Sequence, residues 1–256
     1  MGTTGRSTLT SKWIKTKVLM KSSEISPLIP ETVRFGRENL KTMLQKYGMV
    51  YIKPERGTYG NGVMRAETDR ESGRTLYQYQ SGTKLKKMTD FEAFYQSLKK
   101  QTRSRSYLIQ KGIVLLKHKD RRFDLRVMVQ LSPKGKWETT GMIGRVAQSG
   151  KIVTNYHNGG KPTSIEKLLS PHMDTAKQAY LIHRLKKLGE DIGRFYHKKN
   201  LGFKQLGVDV GLDRTLTPWI IEVNTNPDPY IFNQLKDKSM YRKVMSYRRA
   251  LKKRKA

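Results

Sequence analysis

Cysteine is absent from the 256 residues. That removes disulfide frameworks, thiol nucleophiles and Cys-ligated zinc or iron–sulfur sites. No run of about 18 apolar residues exists either, so no membrane-spanning helix is expected. Acid is scarce: 21 Asp+Glu face 52 Lys+Arg, a formal net charge of +31. The start, MGTTGRSTLTSKW, lacks the apolar segment of a secretory signal, and Arg6 stands where an N-myristoylation pattern needs Ser or Thr. A cytoplasmic chain is the expectation. Aromatics are present, with Trp 3, Tyr 13 and Phe 7 in patterned segments, which argues against wholesale disorder. The length and the 36% hydrophobic content fit one large domain or two small ones. The charge favours contact with polyanions such as nucleic acid, phosphate polymers or acidic envelope polymers; the competing account is solubility with counterions, since the basic residues are spread along the whole chain.

Residues 1–10, rich in Thr, Ser and Gly, read as a flexible arm. A short helix is expected near Ser11, then a Pro-containing break at 26–30 and a second helix over about 31–47, ended by Gly48. The spacing predicts strands at 49–54, 62–67, 74–80 and 106–110, with a helix over 90–101 between the last two. Further strands are expected at 123–131, 137–147 and 151–154. Leu181, Leu185, Leu188, Ile192, Phe195 and Tyr196 form a stripe on one long helix over 173–199. Two strands at 203–212 and 218–224 follow, and residues 236–256 read as a basic helix or tail. The mixed order implies α+β with a largely antiparallel sheet, in two lobes.

The segment GVDVGLDRTLTPWIIEVN carries the most chemistry. Folding it symmetrically about its turn sets Asp209 opposite Glu222, Val208 opposite Val223 and Val210 opposite Ile221. Period-two alternation then puts Asn224 on the face of Glu222. Two directly opposed carboxylates destabilise a sheet, and a divalent cation removes the conflict. Two acids and an amide are an all-oxygen set that suits Mg²⁺, which keeps waters and shares substrate phosphates. The alternative is a solvated acidic edge.

Lys53 lies in an apolar strand (VYIKP) just before GTYGNG, where backbone N–H groups can close over phosphates and the lysine supplies a point charge. The alternative is an edge-strand lysine before an ordinary hairpin turn. No GK[ST] follows, so this is not a Walker A loop. Arg126 and Arg145 sit inside apolar strands, where a guanidinium needs an anionic partner. A bound anion or an ordinary ion pair would satisfy it.

Lys53 with its glycine loop, then LIQKGI, FDLRVMVQ, MIGRVA, IVTNYHNGGKP, GVDVGLD and WIIEVNTNPDP, come in an order that resembles the ATP-grasp superfamily, most similar to the YheC/YheD-type endospore coat-associated proteins of spore-forming bacteria. The likeness covers about 11–235. It implies an ATP-grasp fold of two α+β lobes clasping a nucleotide, a small lobe at about 48–110 and a large lobe at about 111–235 plus the N-terminal helices. It implies that Lys12 and Lys53 reach the phosphates of ATP and that Gly57, Gly60, Asn61 and Gly62 form the loop over them. Gln110, Lys111, Gly112 and Ile113 would be the hinge whose backbone reads the adenine edge. Arg126 and Arg145 would face the γ-phosphate and a developing acyl phosphate, Asn155 with Gly159 and Gly160 would line the acceptor side, and Asp209, Glu222 and Asn224 would hold Mg²⁺. Only 11 residues precede Lys12 and Pro227 is followed by Asp228, so the usual N-terminal acceptor-binding domain is expected to be missing and the loop near the acceptor to differ.

The function so implied is an ATP-dependent carboxylate–amine (or thiol) ligase working through an acyl phosphate, by positioning and charge neutralisation. Its substrate would be an acidic carboxylate, an acidic polymer or an acidic protein, with spore-coat proteins as partners and nucleic acid secondary. The rival is a non-catalytic ATP-grasp-like structural or polyanion-binding protein of the spore coat.

Overall fold

The computed structural model describes residues 10–71, 74–199 and 201–253. In chain order the elements are α1 (Lys12–Leu19), β1 (Thr32–Arg34), α2 (Arg37–Tyr47), β2 (Met49–Pro54), β3 (Met64–Glu71), β4 (Arg74–Ser81), β5 (Lys84–Met88), α3 (Phe91–Thr102), β6 (Tyr107–Lys111), β7 (Lys117–His118), β8 (Arg121–Leu131), β9 (Trp137–Val146), β10 (Lys161–Thr163), α4 (Ile165–Leu169), α5 (Thr175–Lys198), β11 (Gln205–Leu212), β12 (Pro218–Asn224) and α6 (Ser239–Lys253). They divide into two compact units. The arm expected at 1–10 falls almost wholly outside the described residues.

One unit comprises residues 30–114 and 147–160. Its sheet runs β1-β6-β2-β3-β4-β5, all antiparallel. Strand β2 alternates: Val50, Ile52 and Pro54 are buried, while Met49, Tyr51 and Lys53 are half-buried. Val50 and Ile52 pack with Leu40, Met43 and Leu44 of α2 and with Phe94 and Leu98 of α3, as period two on a one-sided sheet requires. Gly48 ends α2 with φ +67°, the left-handed cap that glycine adopts without strain. This unit is broader than the expected 48–110. Residues 32–34, expected as helix, form β1 because the edge of β6 accepts them in register from Thr32↔Gln110 to Arg34↔Leu108. Strand β5, KLKKM, is almost wholly exposed; lysines on an outermost strand block further pairing. Residues 151–154 are not a strand. They lie in a loop held by the sheet's side chains: Tyr51 Oη donates to the Ile152 carbonyl at 3.4 Å and Gln80 Nε2 to the Gly150 carbonyl at 2.6 Å.

The other unit comprises residues up to Ile29, 115–146 and 161 onward. Its antiparallel sheet runs β10-β9-β8-β11-β12. The long helix α5 lays Leu181, Leu185, Leu188, Ile192 and Tyr196 against Val127, Val129, Val208 and Val210, the stripe read from the sequence. On Met128 and Ile143 sit Phe232, Ile231 and Val244 of the C-terminal segment. α5 comes close to β9 at Gly193, where an added Cβ would lie 2.5 Å from Trp137 Cε3. Gly193→Ala is therefore expected to destabilise this unit by about 1–3 kcal/mol, because overpacking here outweighs the gain in helix propensity. Denaturant unfolding of the two proteins checks this; an equal or higher midpoint for the alanine variant contradicts it.

Among the described residues no helix is long and apolar enough to cross a membrane.

Candidate functional site

In the unit of residues 30–114 and 147–160, Lys53 leaves β2 on the face away from α2 and α3, its ammonium 5.7 Å from the Tyr51 ring centre. Lys53 Nζ donates to Gln110 Oε1 at 2.5 Å, and Gln110 Nε2 donates to Thr32 Oγ1 at 3.3 Å. Gln110, expected to act through its backbone, thus orients Lys53 through its side chain. The hinge N–H groups of Lys111 and Gly112 donate to the carbonyls of Glu31 (2.8 Å) and Met49 (2.9 Å). These two N–H groups are already bonded within the unit, so the expectation that the hinge amides read adenine does not extend to them. Ile113 follows, buried.

The glycine loop has positive φ at Gly57 (138°), Tyr59 (62°), Gly60 (76°) and Gly62 (75°), and the Asn61 N–H donates to the Thr58 carbonyl at 3.3 Å. Asn155 is not remote from it. A Cβ at Gly60 would lie 2.6 Å from Asn155 Oδ1. The structure therefore brings the residue expected on the acceptor side against the loop expected over the phosphates.

In the other unit, β11 and β12 pair in the deduced register, Asp209↔Glu222 and Val208↔Val223. The symmetry stops there. A bulge after Asp209 pairs Val210 with Ile220 rather than Ile221. Asp209 also lies opposite Arg126 on β8, and Asp124 of β8 lies opposite Arg145 on β9. Arg126 grips Asp209 with both ends, Nε to Oδ1 at 2.5 Å and Nη2 to Oδ2 at 3.1 Å. Arg145 grips Asp124 (Nε to Oδ1 2.8 Å, Nη2 to Oδ2 2.5 Å) and reaches Asp209 Oδ2 at 3.1 Å. Arg145 is 3% exposed and its Nε and Nη2 are bonded to two carboxylates, so in this structure the side chain expected to face a phosphate is a buried brace. The ion-pair alternative applies, and Arg126 shares it in this structure.

Burial alone would raise the Asp209 pKa; Arg126 and Arg145 overcome that and hold it down to about 2. Burial likewise opposes the charge of Arg145, but Asp124 and Asp209 together keep its pKa above the usual guanidinium range. Asn224 Nδ2 donates to Asp209 Oδ2 at 3.2 Å and to the Gly207 carbonyl at 3.4 Å, so the amide nitrogen is bonded within the hairpin. Glu222 is more open, its side chain 24% exposed, with Lys12 Nζ at 3.6 Å. Lys12, expected to reach phosphate, is the N-terminal residue of α1, where the Ser11 side chain caps the helix by accepting from the Ile14 N–H.

Sequence reasoning missed Lys15. It is 7% exposed and its Nζ donates to the Val223 carbonyl at 2.7 Å. Burial lowers its pKa, Glu222 and Asp209 pull it back up, and Lys12 lowers it further. Its signal was the spacing Lys15–Leu19 on the inward face of α1. The carboxylate conflict that pointed to a metal is thus already relieved by the chain's own cations. Lys12, Lys15, Arg126 and Arg145 outnumber Asp124, Asp209 and Glu222 by one charge. Against a Mg²⁺ ion, the Glu222 carboxylate and the Asn224 amide oxygen are suitable hard donors. Both oxygens of Asp209 already accept hydrogen bonds, so its role in this structure is to orient Asn224.

A family model described as YheC/D-like ATP-grasp matches residues 4–251. Endospore coat-associated protein YheD of Bacillus subtilis (strain 168) is 26% identical over 231 residues, which cover 88% of this chain and 50% of that protein. Endospore coat-associated protein YheC of the same organism is 22% identical over 220 residues, covering 86% and 60%. The chain thus spans about half the length of these relatives. Among solved structures, D-cycloserine synthetase DcsG aligns with a TM-score of 0.56 at 9% identity, over 96% of this chain and 70% of that one. At that identity the likeness establishes the fold, an α+β ATP-grasp architecture.

Proposed function

This chain belongs to the YheC/D-like ATP-grasp family, and from that premise we propose that it binds Mg²⁺·ATP and joins a carboxylate to an amine through an acyl phosphate. In the unit carrying the hairpin, Glu222 and Asn224 hold the cation, and Asp209 fixes the Asn224 amide. In the other unit, Lys53, aimed by Gln110, and the loop of Gly57, Gly60, Asn61 and Gly62 hold phosphate oxygens, while the end of β6 through Ile113 meets the adenine. Mg²⁺ supplies charge neutralisation on the phosphates. Arg126 is the cation that can exchange Asp209 for a phosphate oxygen. Arg145 does not leave Asp124. Asn155, against Gly60, remains the acceptor-side residue.

One observation carries this reading: the acid cluster already has a cationic excess. A bare divalent ion meets four positive groups and gains little, whereas a metal bound to polyphosphate brings the negative charge that the cluster lacks. The site therefore selects Mg²⁺ with a nucleotide di- or triphosphate over Mg²⁺ alone. Thermal-shift titration is expected to show stabilisation by Mg²⁺·ADP, little by Mg²⁺ alone and little by AMP with Mg²⁺. No shift with Mg²⁺·ADP overturns the proposal.

The net charge of +31 favours an acidic carboxylate substrate, such as an acidic peptide or polymer, by raising its local concentration. The relatives are named endospore coat-associated proteins, and on that basis we place the activity in association with the spore coat. Phosphate release from ATP screened against acidic peptides and amino acids identifies the substrate.

A further inference from the structure

We propose that Asn158, assisted by the His157 ring, is a latch that presets the 57–62 loop before any ligand arrives. Both residues lie on the short turn Tyr156–Asn158, which closes on itself: the Asn158 and Gly160 N–H groups donate to the Asn155 carbonyl at 2.9 and 3.0 Å, and Lys151 Nζ donates to the Asn158 carbonyl at 3.0 Å. From this braced turn, Asn158 Nδ2 donates to the Tyr59 carbonyl. The His157 ring centre lies 4.1 Å from that of Tyr59. One residue on, Gly60 passes so close to Asn155 that a Cβ would meet Oδ1 at 2.6 Å.

The loop needs such help. Tyr59 is a bulky residue held at φ +62°, in the left-handed region that only glycine enters freely. Its ring is half exposed, so little burial rewards that conformation. The hydrogen bond and the ring contact add to the loop's own turn bond, Asn61 N–H to the Thr58 carbonyl, in offsetting it. Removing either shifts the loop toward open conformations, and a ligand held by the loop must then recover the closed population. Asn158 and His157 are positioning residues in this account. The latch itself stands without the nucleotide reading; only its effect on ligand affinity rests on that reading.

The test is limited trypsin digestion of the full chain without nucleotide, following cleavage after the exposed Arg56, which precedes the loop. Asn158→Asp keeps the shape but cannot donate. It is expected to speed cleavage at Arg56 about fivefold, the share of one hydrogen bond, and His157→Ala about threefold. Cleavage at other exposed sites should stay at the wild-type rate. Unchanged cleavage at Arg56 in both variants overturns the latch, and so does equal acceleration at every site, which signals general unfolding. The Mg²⁺·ADP dissociation constant of Asn158→Asp is expected to rise about fivefold by the same opening. Faster cleavage with unchanged Mg²⁺·ADP affinity keeps the latch and overturns instead the assignment of this loop to phosphate.

Discussion

Glu222→Ala is expected to weaken Mg²⁺·ADP binding by about a hundredfold, the scale at which metal sites respond to loss of a supporting group, while leaving binding of metal-free ADP unchanged or tighter. The opposite signs follow from the neighbours. Glu222 is the open carboxylate of the cluster, with Lys12 Nζ 3.6 Å away, and it is an electrostatic partner of the buried Lys15. Its removal takes away an oxygen donor for the cation and at the same time two positive groups lose their counter-charge, which favours a bare polyphosphate. Calorimetric titration with ADP, with and without Mg²⁺, separates the two effects. Equal losses in both conditions would mean that Glu222 supports the fold rather than the cation.

Arg145→Met is expected to destabilise the unit built on β8, β9, β11 and β12 by about 3–5 kcal/mol, lowering its melting temperature by about 10 °C. The volume is nearly kept, so the loss comes from charge. Asp124 and Asp209 are 4% and 3% exposed, and Arg145 is bonded to both. Without it Asp124 loses both guanidinium contacts and Asp209 keeps Arg126 and the Asn224 amide. Unlike a variant that removes a phosphate contact, this one should show its defect in nucleotide-free protein.

The pH dependence has a definite sign. The folded pKa of Asp209, about 2, lies below the unfolded value of about 3.9. Its contribution, about 2–3 kcal/mol, is therefore complete above about pH 4 and is lost as pH falls through about 2. In Arg145→Met the stranded carboxylates gain by protonation, so the gap between the two proteins should be widest at neutral pH and narrow toward pH 3. A gap that stays constant with pH would point to packing instead of the ion network.

Much of this was legible along the chain. The α5 stripe, the cap at Gly48 and the pairing Asp209↔Glu222 all follow from repeats of 3.6 or 2 acting over a few residues, or from symmetry about a tight turn. Other features were not, among them β1, β5 and a bulge. β1 was hidden because TVR is too short to show a period and exists only where β6 offers an edge. β5 was hidden because KLKKM reads as a solvated charge run until it is placed at the outside of a sheet. The bulge after Asp209 was hidden because an extra residue on one strand leaves no mark in alternation.

The site divides along the same line. That Arg126 and Arg145 need anionic partners followed from their apolar flanks. That the partners are Asp209 and Asp124, and not a substrate, depends on the alignment of β8 with β9 and β11. That alignment joins residues 21 positions apart in one case and 83 in the other.

The sequence by itself determined an α+β ATP-grasp chain, rich in cations, whose β11–β12 hairpin faces Asp209 toward Glu222, because a tight turn fixes its flanking strands through local geometry alone. Only the tertiary structure decided how that acid pair is neutralised, through Arg126, Arg145, Lys12 and Lys15, and that Asn155 and Asn158 lie against the glycine loop. Coulomb energies depend on distance in space, and the distances that matter here are made by strands and turns far apart in the chain.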